Sequence, residues 1–155
     1  MKQCAIVFVF CLLAATAFGQ DFKQGEVLCA AGESASDQTF RAAKVLKAAS
    51  EQTKNQAQVL YVSDGAKEWV DFVVPTHPAR KGDLAEGAIV FYPSGWAEYD
   101  TMTANDYRST GWKIGHVTSL DEMFKNLVEV DGEKYFWKFL RIPDNPGALE
   151  ESGEQ

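Results

Sequence analysis

The chain has 155 residues and a formal net charge of −7, from 15 Lys and Arg against 22 Asp and Glu residues. An acidic chain repels phosphate backbones and anionic lipids, so binding to nucleic acid or to a membrane surface is disfavoured. The length allows one ordinary domain or two very small ones.

The first 19 residues have the pattern of a cleaved signal peptide. A short positive segment, residues 1–3, precedes an apolar run over residues 4–18, and Ala17-Phe18-Gly19 offers the small residues that a signal peptidase reads. The apolar run is shorter than the roughly 20 residues that a membrane-spanning helix needs. The sequence therefore predicts export, to the periplasm or as a secreted protein, with cleavage after Gly19 and no membrane insertion afterwards.

Cleavage would leave one cysteine. Cys4 and Cys11 lie in the signal segment, and Cys29 alone remains. No internal disulfide is therefore expected, although the destination is oxidising.

Three stretches of the remaining chain recur in the same order, as expected for an internal duplication. Each copy also carries an Asp-Gly pair between its second and third stretches, at Asp64-Gly65 and at Asp131-Gly132. The matching stretches are 21–29 with 83–91, 40–45 with 112–117, and 68–78 with 136–146. The repeat predicts a first domain over residues 21–78, a second over 83–146, and an acidic disordered tail over 147–155.

Each copy is predicted to be β-structure. An Asp-Gly pair between β-rich runs favours a two-residue type I′ hairpin, because that turn needs positive φ at both central residues. Pro75 and Pro143 are expected to end the strands that follow, since proline cannot donate to a ladder.

The segment 37–58 is ambiguous, because its alanines and lysines after Ser36-Asp37 also suit a capped helix. The matching segment Trp112 to Ser119 contains β-branched residues and glycine, which make a poor helix. The repeat therefore favours a strand over Phe40 to Lys47, followed by a polar turn over Glu51 to Gln56.

Alternation along this strand predicts its two faces. Ala43 and Val45 in the first copy are expected inside, as are Gly115 and Val117 in the second. Small residues beside a valine suit a tightly curved barrel interior. The opposite face, with Lys44 and His116, is expected to meet solvent.

Each copy resembles the Tudor and Agenet branch of the small Src-homology-3-like barrels. The resemblance rests on Gly25-Glu26-Val27-Leu28-Cys29, Phe40-Arg41-Ala42-Ala43-Lys44-Val45-Leu46 and Tyr61-Val62-Ser63-Asp64-Gly65-Ala66-Lys67-Glu68-Trp69-Val70. The second copy keeps the pattern less faithfully, with Phe136-Trp137 in place of the Glu-Trp pair. The resemblance implies an all-β chain of two tandem small barrels.

The resemblance also implies a binding surface rather than a named ligand. Tudor-like barrels commonly hold methylated side chains in aromatic cages through cation–π attraction. Exported bacterial barrels of the broader class often bind cell-wall peptides or partner proteins. We therefore expect a protein, peptide or cell-wall ligand.

The segment between the first two strands of the second copy is about ten residues longer than its counterpart and rich in aromatic residues. Such a loop suits ligand recognition, or its rings fold back and cover the core of a barrel too small to close its own. The predicted ligand-binding residues are Tyr92, Trp96, Tyr99, Asp100, Asp106, Tyr107 and Trp112. For an aromatic cage, the expected rings are those of Tyr92, Trp96, Tyr99 and Trp112, with Asp100 or Asp106 as the anionic partner.

Secondary candidates lie in the first copy. Phe40, Tyr61 and Trp69 occupy corresponding positions there, together with Phe72, and at least two of these aromatic residues are expected in the core.

Neither catalysis nor a cofactor is predicted. His77 and His116 have no second histidine within ligand spacing and no cysteine pair, so the sequence does not indicate a metal site. Cys29 aligns with Phe91 in a predicted strand, which favours a buried structural thiol over a nucleophile.

The sequence thus predicts an exported, non-catalytic binding module that uses the aromatic residues of its second barrel to recognise a peptide, a modified side chain or a cell-envelope ligand. The alternative is a structural or assembly protein of the envelope, in which the barrels act as spacers or subunits.

Overall fold

The computed structural model describes residues 26–30 and 39–150, with the backbone alone for residues 26–30, 148 and 150. The predicted signal peptide, the side chain of Cys29 and residues 151–155 lie outside the described part. The described chain is all-β, as predicted. Its strands are β1 (Glu26–Ala30), β2 (Phe40–Lys47), β3 (Ala57–Tyr61), β4 (Lys67–Val70), β5 (Phe72–Val74), β6 (Thr76–Pro78), β7 (Ile89–Pro93), β8 (Trp112–Ser119), β9 (Leu127–Val130), β10 (Glu133–Phe136) and β11 (Arg141–Pro143).

Helix is confined to short pieces. Helix α1 (Ala104–Ser109) lies in the long loop of the second half, and α2 (Gly147–Glu150) follows β11. Leu149 of α2 packs against buried residues, so a helix stands at 147–150 where the sequence predicted the start of a disordered tail. Within the described residues, no helix is long and apolar enough to cross a membrane.

Both halves pair their strands in the same order. In the first half β1 lies between β5 and β2, and β3 and β4 follow, which gives β5-β1-β2-β3-β4. The second half has β11-β7-β8-β9-β10. Every one of these pairings is antiparallel.

The two halves belong to one hydrogen-bonded sheet, and that sheet is not closed. Phe40 of β2 pairs with Trp112 of β8, and β6 pairs with β11 through Thr76↔Pro143, His77↔Ile142 and Pro78↔Arg141. The short strand β6, which follows Pro75, was not predicted from the sequence. It attaches the end of the first half to the last strand of the second.

The ambiguous segment forms a strand over Phe40–Lys47, as the repeat predicted, and a 3₁₀ turn covers Glu51–Thr53. Ala43, Gly115 and Val117 are buried and His116 is exposed, as expected, whereas Lys44 is half-buried and Ala42, on the same face of β2, is buried. The prediction for Val45 is wrong.

Val45 is 37% exposed. The register with β3 shifts between Val45 and Lys47, so the end of β2 turns away from the core.

The two Asp-Gly pairs differ in their turns. Asp131 and Gly132 have φ of 49° and 89° and join the paired residues Val130 and Glu133, as a type I′ hairpin requires. Of the pair Asp64-Gly65, only the glycine has positive φ, at 72°. There Leu60 pairs with Lys67, so the connection is longer and the predicted two-residue turn is wrong.

The described residues form three buried clusters. One fills the second half and includes Val117, Val130 and Tyr135; a smaller one fills the first half around Val59 and Tyr61. The third cluster, which we call the junction cluster, lies where the halves meet and consists of Phe40, Ala42, Val74, Phe91 and Trp112. The rings of Phe40 and Phe91 pack edge to face at 4.9 Å within it.

Candidate functional site

The structure does not bring the four predicted cage rings together. Trp112 is fully buried in the junction cluster, where the Tyr107 ring packs against it at 5.2 Å. Tyr92 instead packs on Tyr135, with ring centroids 4.9 Å apart. Trp112 is therefore a core residue, since β8 carries it into the contact between the halves.

The other two rings form a pair of their own. Trp96 and Tyr99 meet edge to face at 5.4 Å, and Tyr99 is 59% exposed. Between them, the backbone N–H of Glu98 donates to the carbonyl of Lys134, 2.7 Å away. This hydrogen bond fixes the loop against β10.

Tyr107 and Asp106 serve the loop's own structure. Asp106 accepts hydrogen bonds from the hydroxyl and the backbone N–H of Thr103, which begin helix α1 and hold the pKa of Asp106 below its ordinary value. The Tyr107 hydroxyl accepts from Nη1 of the buried Arg141 at 2.7 Å. Helix α1 thus docks on β11 through the hydrogen bond between Tyr107 and Arg141. Asp100, which precedes this helix, is exposed.

The secondary candidates divide as expected between core and surface. Phe40 and Tyr61 are buried, which confirms the prediction that at least two of the first-copy aromatics belong to the core. Trp69 is 43% exposed on β4, and Nζ of Lys47 lies 5.9 Å from its ring centroid.

A cleft of about 460 Å³ opens at one end of the second half. Tyr92 of β7 and Lys113 of β8 line it, and these two residues are register partners. Asp131 and Glu133 contribute carboxylates from the type I′ hairpin. The remaining lining residues are Ser94, Gly95, Ala97, Val130 and Tyr135. Tyr92 is thus the one predicted ligand-binding residue among those lining this cleft, which we call the hairpin cleft.

The hairpin cleft has a negative electrostatic character. Burial, and then the charges of Asp131 and Glu133, raise the pKa of Tyr92 above its ordinary value of 10.0. Burial, a hydrogen bond to Glu133 and nearby negative charge likewise raise the pKa of Tyr135. The Tyr135 hydroxyl donates to Oε2 of Glu133 at 2.7 Å. Both tyrosines therefore stay neutral where the carboxylates are ionised.

Gly115 makes room for this arrangement. A Cβ on Gly115 would collide with Oδ2 of Asp131 and would lie 2.9 Å from both Cε1 of Tyr92 and Cγ1 of Val130. The other oxygen of Asp131 accepts from the backbone N–H of His116 at 3.1 Å. The carboxylate thus rests directly over the strand, close to the edge of the tyrosine ring.

The two cleft carboxylates carry no salt bridge within the described part of the chain, whereas the nearby Glu122 is paired with two lysines. Glu122 accepts from Lys134 at 2.5 Å and from Lys125 at 3.3 Å, and these hydrogen bonds hold its pKa below the ordinary value. Among the described residues, Lys113 is the one cation that lines the hairpin cleft, and its side chain is exposed. The hairpin cleft therefore carries excess negative charge.

His77 makes contacts that join separate parts of the chain. His77 lies between two carboxylates, with Nδ1 2.7 Å from Asp144 and Nε2 3.6 Å from Asp83, and the two contacts are on opposite sides of the ring. Over residues 39–150, no group of three or more His, Cys, Asp or Glu side chains is placed to hold a metal ion. The His77 contacts tie β6 to the chain on either side of the second half.

Sequence reasoning missed Asp131, Glu133 and Tyr135. The signal was present, because Asp131 opens the predicted hairpin and Tyr135 follows four residues later, on the strand that leaves it. The hairpin cleft forms because β7 pairs with β8, which brings Tyr92 beside that hairpin, and the sequence alone does not show this pairing.

Comparisons of the chain with protein-family models, with curated proteins and with solved structures found no match.

Proposed function

We propose that the chain is an exported, non-catalytic binding protein of two tandem Tudor-like barrels, and that the hairpin cleft of the second barrel holds a cationic group of a peptide or protein ligand. The shared strand order of the two halves supports the tandem arrangement. The apolar run and the small residues that end at Gly19 support export.

One observation carries the binding site. The ring of Tyr92 lies beside two carboxylates, Asp131 and Glu133, in an open cleft whose negative charge is not balanced by a salt bridge. A tyrosine face attracts a cation, and carboxylates accept hydrogen bonds from its N–H groups. A cleft of about 460 Å³ admits a side chain and its neighbouring backbone.

A peptide screen tests this function. We expect short peptides that differ only in one central residue to bind when that residue is cationic, and to bind far more weakly when it is neutral or acidic. Fluorescence anisotropy of labelled peptides would measure the affinities. Equal binding of all three charge classes would contradict the proposal.

The second candidate function is a structural or assembly role. Its support lies in the first half, where Trp69 and Leu46 are 43% and 44% exposed and no described strand pairs with the outer edge of β4. Size-exclusion chromatography with light scattering distinguishes the two functions. A stable oligomer that the double variant Trp69→Ser/Leu46→Ser dissociates would favour assembly.

A further inference from the structure

We propose that the cationic group held in the hairpin cleft is an unmodified guanidinium, that of an arginine side chain in a peptide. This inference rests on the proposed function and names its ligand class. Its main support is a guanidinium that the first half of the same chain already holds in a comparable setting.

In the first half, the guanidinium belongs to Arg41. Its guanidinium carbon lies 3.9 Å from the centroid of the Tyr61 ring, and Nη2 donates to Oδ2 of Asp64 at 2.6 Å and to Oγ of Ser63 at 2.9 Å. Hydrogen bonds from the backbone N–H of Ala66 and from Arg41 hold the pKa of Asp64 below its ordinary value. A tyrosine ring and the aspartate of an Asp-Gly pair thus bind one guanidinium within the chain.

The second half also has an Asp-Gly aspartate, in a two-residue turn rather than in the longer connection that holds Asp64, and no described guanidinium pairs with it. Asp131 opens its Asp-Gly pair as Asp64 does in the first half. The repeat matches Phe40-Arg41 with Trp112-Lys113, and these pairs begin β2 and β8, so Lys113 takes the position of Arg41. Lys113 donates to no carboxylate among the described residues.

The tyrosine ring of the hairpin cleft lies on a different strand from the tyrosine ring that contacts Arg41. Tyr92 on β7 takes the role that Tyr61 on β3 has in the first half, and Glu133 adds a second carboxylate beside Asp131. A tyrosine ring and two carboxylates therefore line the hairpin cleft, whereas in the first half a tyrosine ring and a carboxylate already hold Arg41.

The geometry favours guanidinium over other cations. A quaternary ammonium donates no hydrogen bond and depends on several ring faces, whereas here Tyr135 is 1% exposed and the Trp96–Tyr99 pair does not line the cleft. A lysine ammonium is compact and strongly hydrated. A guanidinium is planar, stacks on a ring and donates in a fork to carboxylates, so it uses Tyr92, Asp131 and Glu133 together.

The test compares four peptides with two glycines on each side of a central arginine, lysine, trimethyllysine or glutamine. Changes in the amide NMR signals of Asp131 and Gly132 on titration would give the affinities. We expect the arginine peptide to bind about tenfold more tightly than the lysine peptide, and trimethyllysine to bind more weakly than either.

Tightest binding of the trimethyllysine peptide, or equal binding of the arginine and lysine peptides, would overturn the guanidinium assignment and leave cation recognition standing. No difference between the cationic peptides and glutamine would overturn both.

A single substitution can introduce into the second half the kind of intramolecular arginine contact that Arg41 makes in the first half. Lys113→Arg should place a guanidinium of the chain itself in the hairpin cleft, where it competes with the arginine peptide and weakens its binding by about tenfold. Lys67→Arg, at an exposed position on β4, is the matched control and should bind as the native chain does. Unchanged affinity in Lys113→Arg would overturn the parallel between the two halves.

Discussion

The carboxylate of Asp131 occupies the space beside β8 that a side chain at Gly115 would need. Because Tyr92 and Val130 crowd the same point, the strand cannot carry a larger residue here without moving the hairpin or the ring. A glycine in β8 weakens the strand locally but lets the acidic hairpin close over it. The shape of the hairpin cleft thus depends on this one contact.

Replacing Gly115 should damage both stability and binding. We expect Gly115→Ala to lower the free energy of unfolding by about 1–3 kcal/mol, because the added methyl group collides with Asp131 and Tyr92. Urea denaturation would measure the loss. Gly82→Ala is the matched control, since no atom lies within 4 Å of its added Cβ and its φ is not positive, and its stability should stay within about 0.5 kcal/mol of the native value. Equal stability of the two variants would contradict the crowding described for Gly115.

The raised pKa values of Tyr92 and Tyr135 predict that the protein becomes less stable at high pH. The pKa values of Tyr92 and Tyr135 are raised in the folded chain, so folding favours their protonated forms. Their contribution to the free energy of unfolding is fully present below about pH 10, the pKa of tyrosine in the unfolded chain. It is lost as the pH rises through the pKa values of the folded chain. Urea midpoints at about pH 9 and about pH 11 would measure this loss. The double variant Tyr92→Phe/Tyr135→Phe should lose less stability between these pH values than the native chain, and an equal loss would contradict the assignment.

Two tryptophans with different burial should respond differently to truncation. Trp112→Ala is expected to cost about 3–5 kcal/mol, because Trp112 fills the junction cluster. Trp69→Ala removes the same side chain from a position that is 43% exposed and should cost about 0.5 kcal/mol. Chemical denaturation of both variants would measure the difference. A small cost at Trp112 would contradict its role in joining the halves.

The Tyr92 ring should matter for binding more than its hydroxyl. Tyr92→Phe keeps an aromatic face and is expected to retain most of the affinity for the arginine peptide. Tyr92→Leu keeps apolar bulk against Tyr135 but removes the cation–π attraction, which is worth about 0.5–2 kcal/mol. Isothermal titration calorimetry would compare the two variants. Equal affinities would show that the tyrosine face does not contact the cation.

Local patterns in the sequence predicted much of the fold. Asp131-Gly132 identified a type I′ turn because that turn depends on neighbouring residues, and comparison with the second copy identified the strand Phe40–Lys47. The unexpected exposure of Val45 and the pairing of β6 with β11 depend on contacts between distant parts of the chain. No local periodicity encodes such contacts.

The candidate site was less accessible to sequence reasoning. An aromatic-rich loop pointed to the correct half and to Tyr92, but Trp112 went to the core because β8 meets β2 there. The carboxylates of Asp131 and Glu133 lie in a hairpin for which the sequence predicts only a turn. Their importance follows from the approach of β7 to β8, which a single sequence does not display.

The most direct test of the central claim is the affinity of the arginine peptide for a chain whose cleft carboxylates are neutral. Asn suits the positive φ of Asp131, and Gln can still accept the Tyr135 hydroxyl, so Asp131→Asn/Glu133→Gln should fold normally. Glu51→Gln/Glu86→Gln makes the same change in net charge at exposed positions away from the hairpin cleft. Calorimetry should show native affinity in this control and a loss of about tenfold or more in the cleft variant. Equal affinity in the native chain and both variants would contradict the assignment of the hairpin cleft as the binding site.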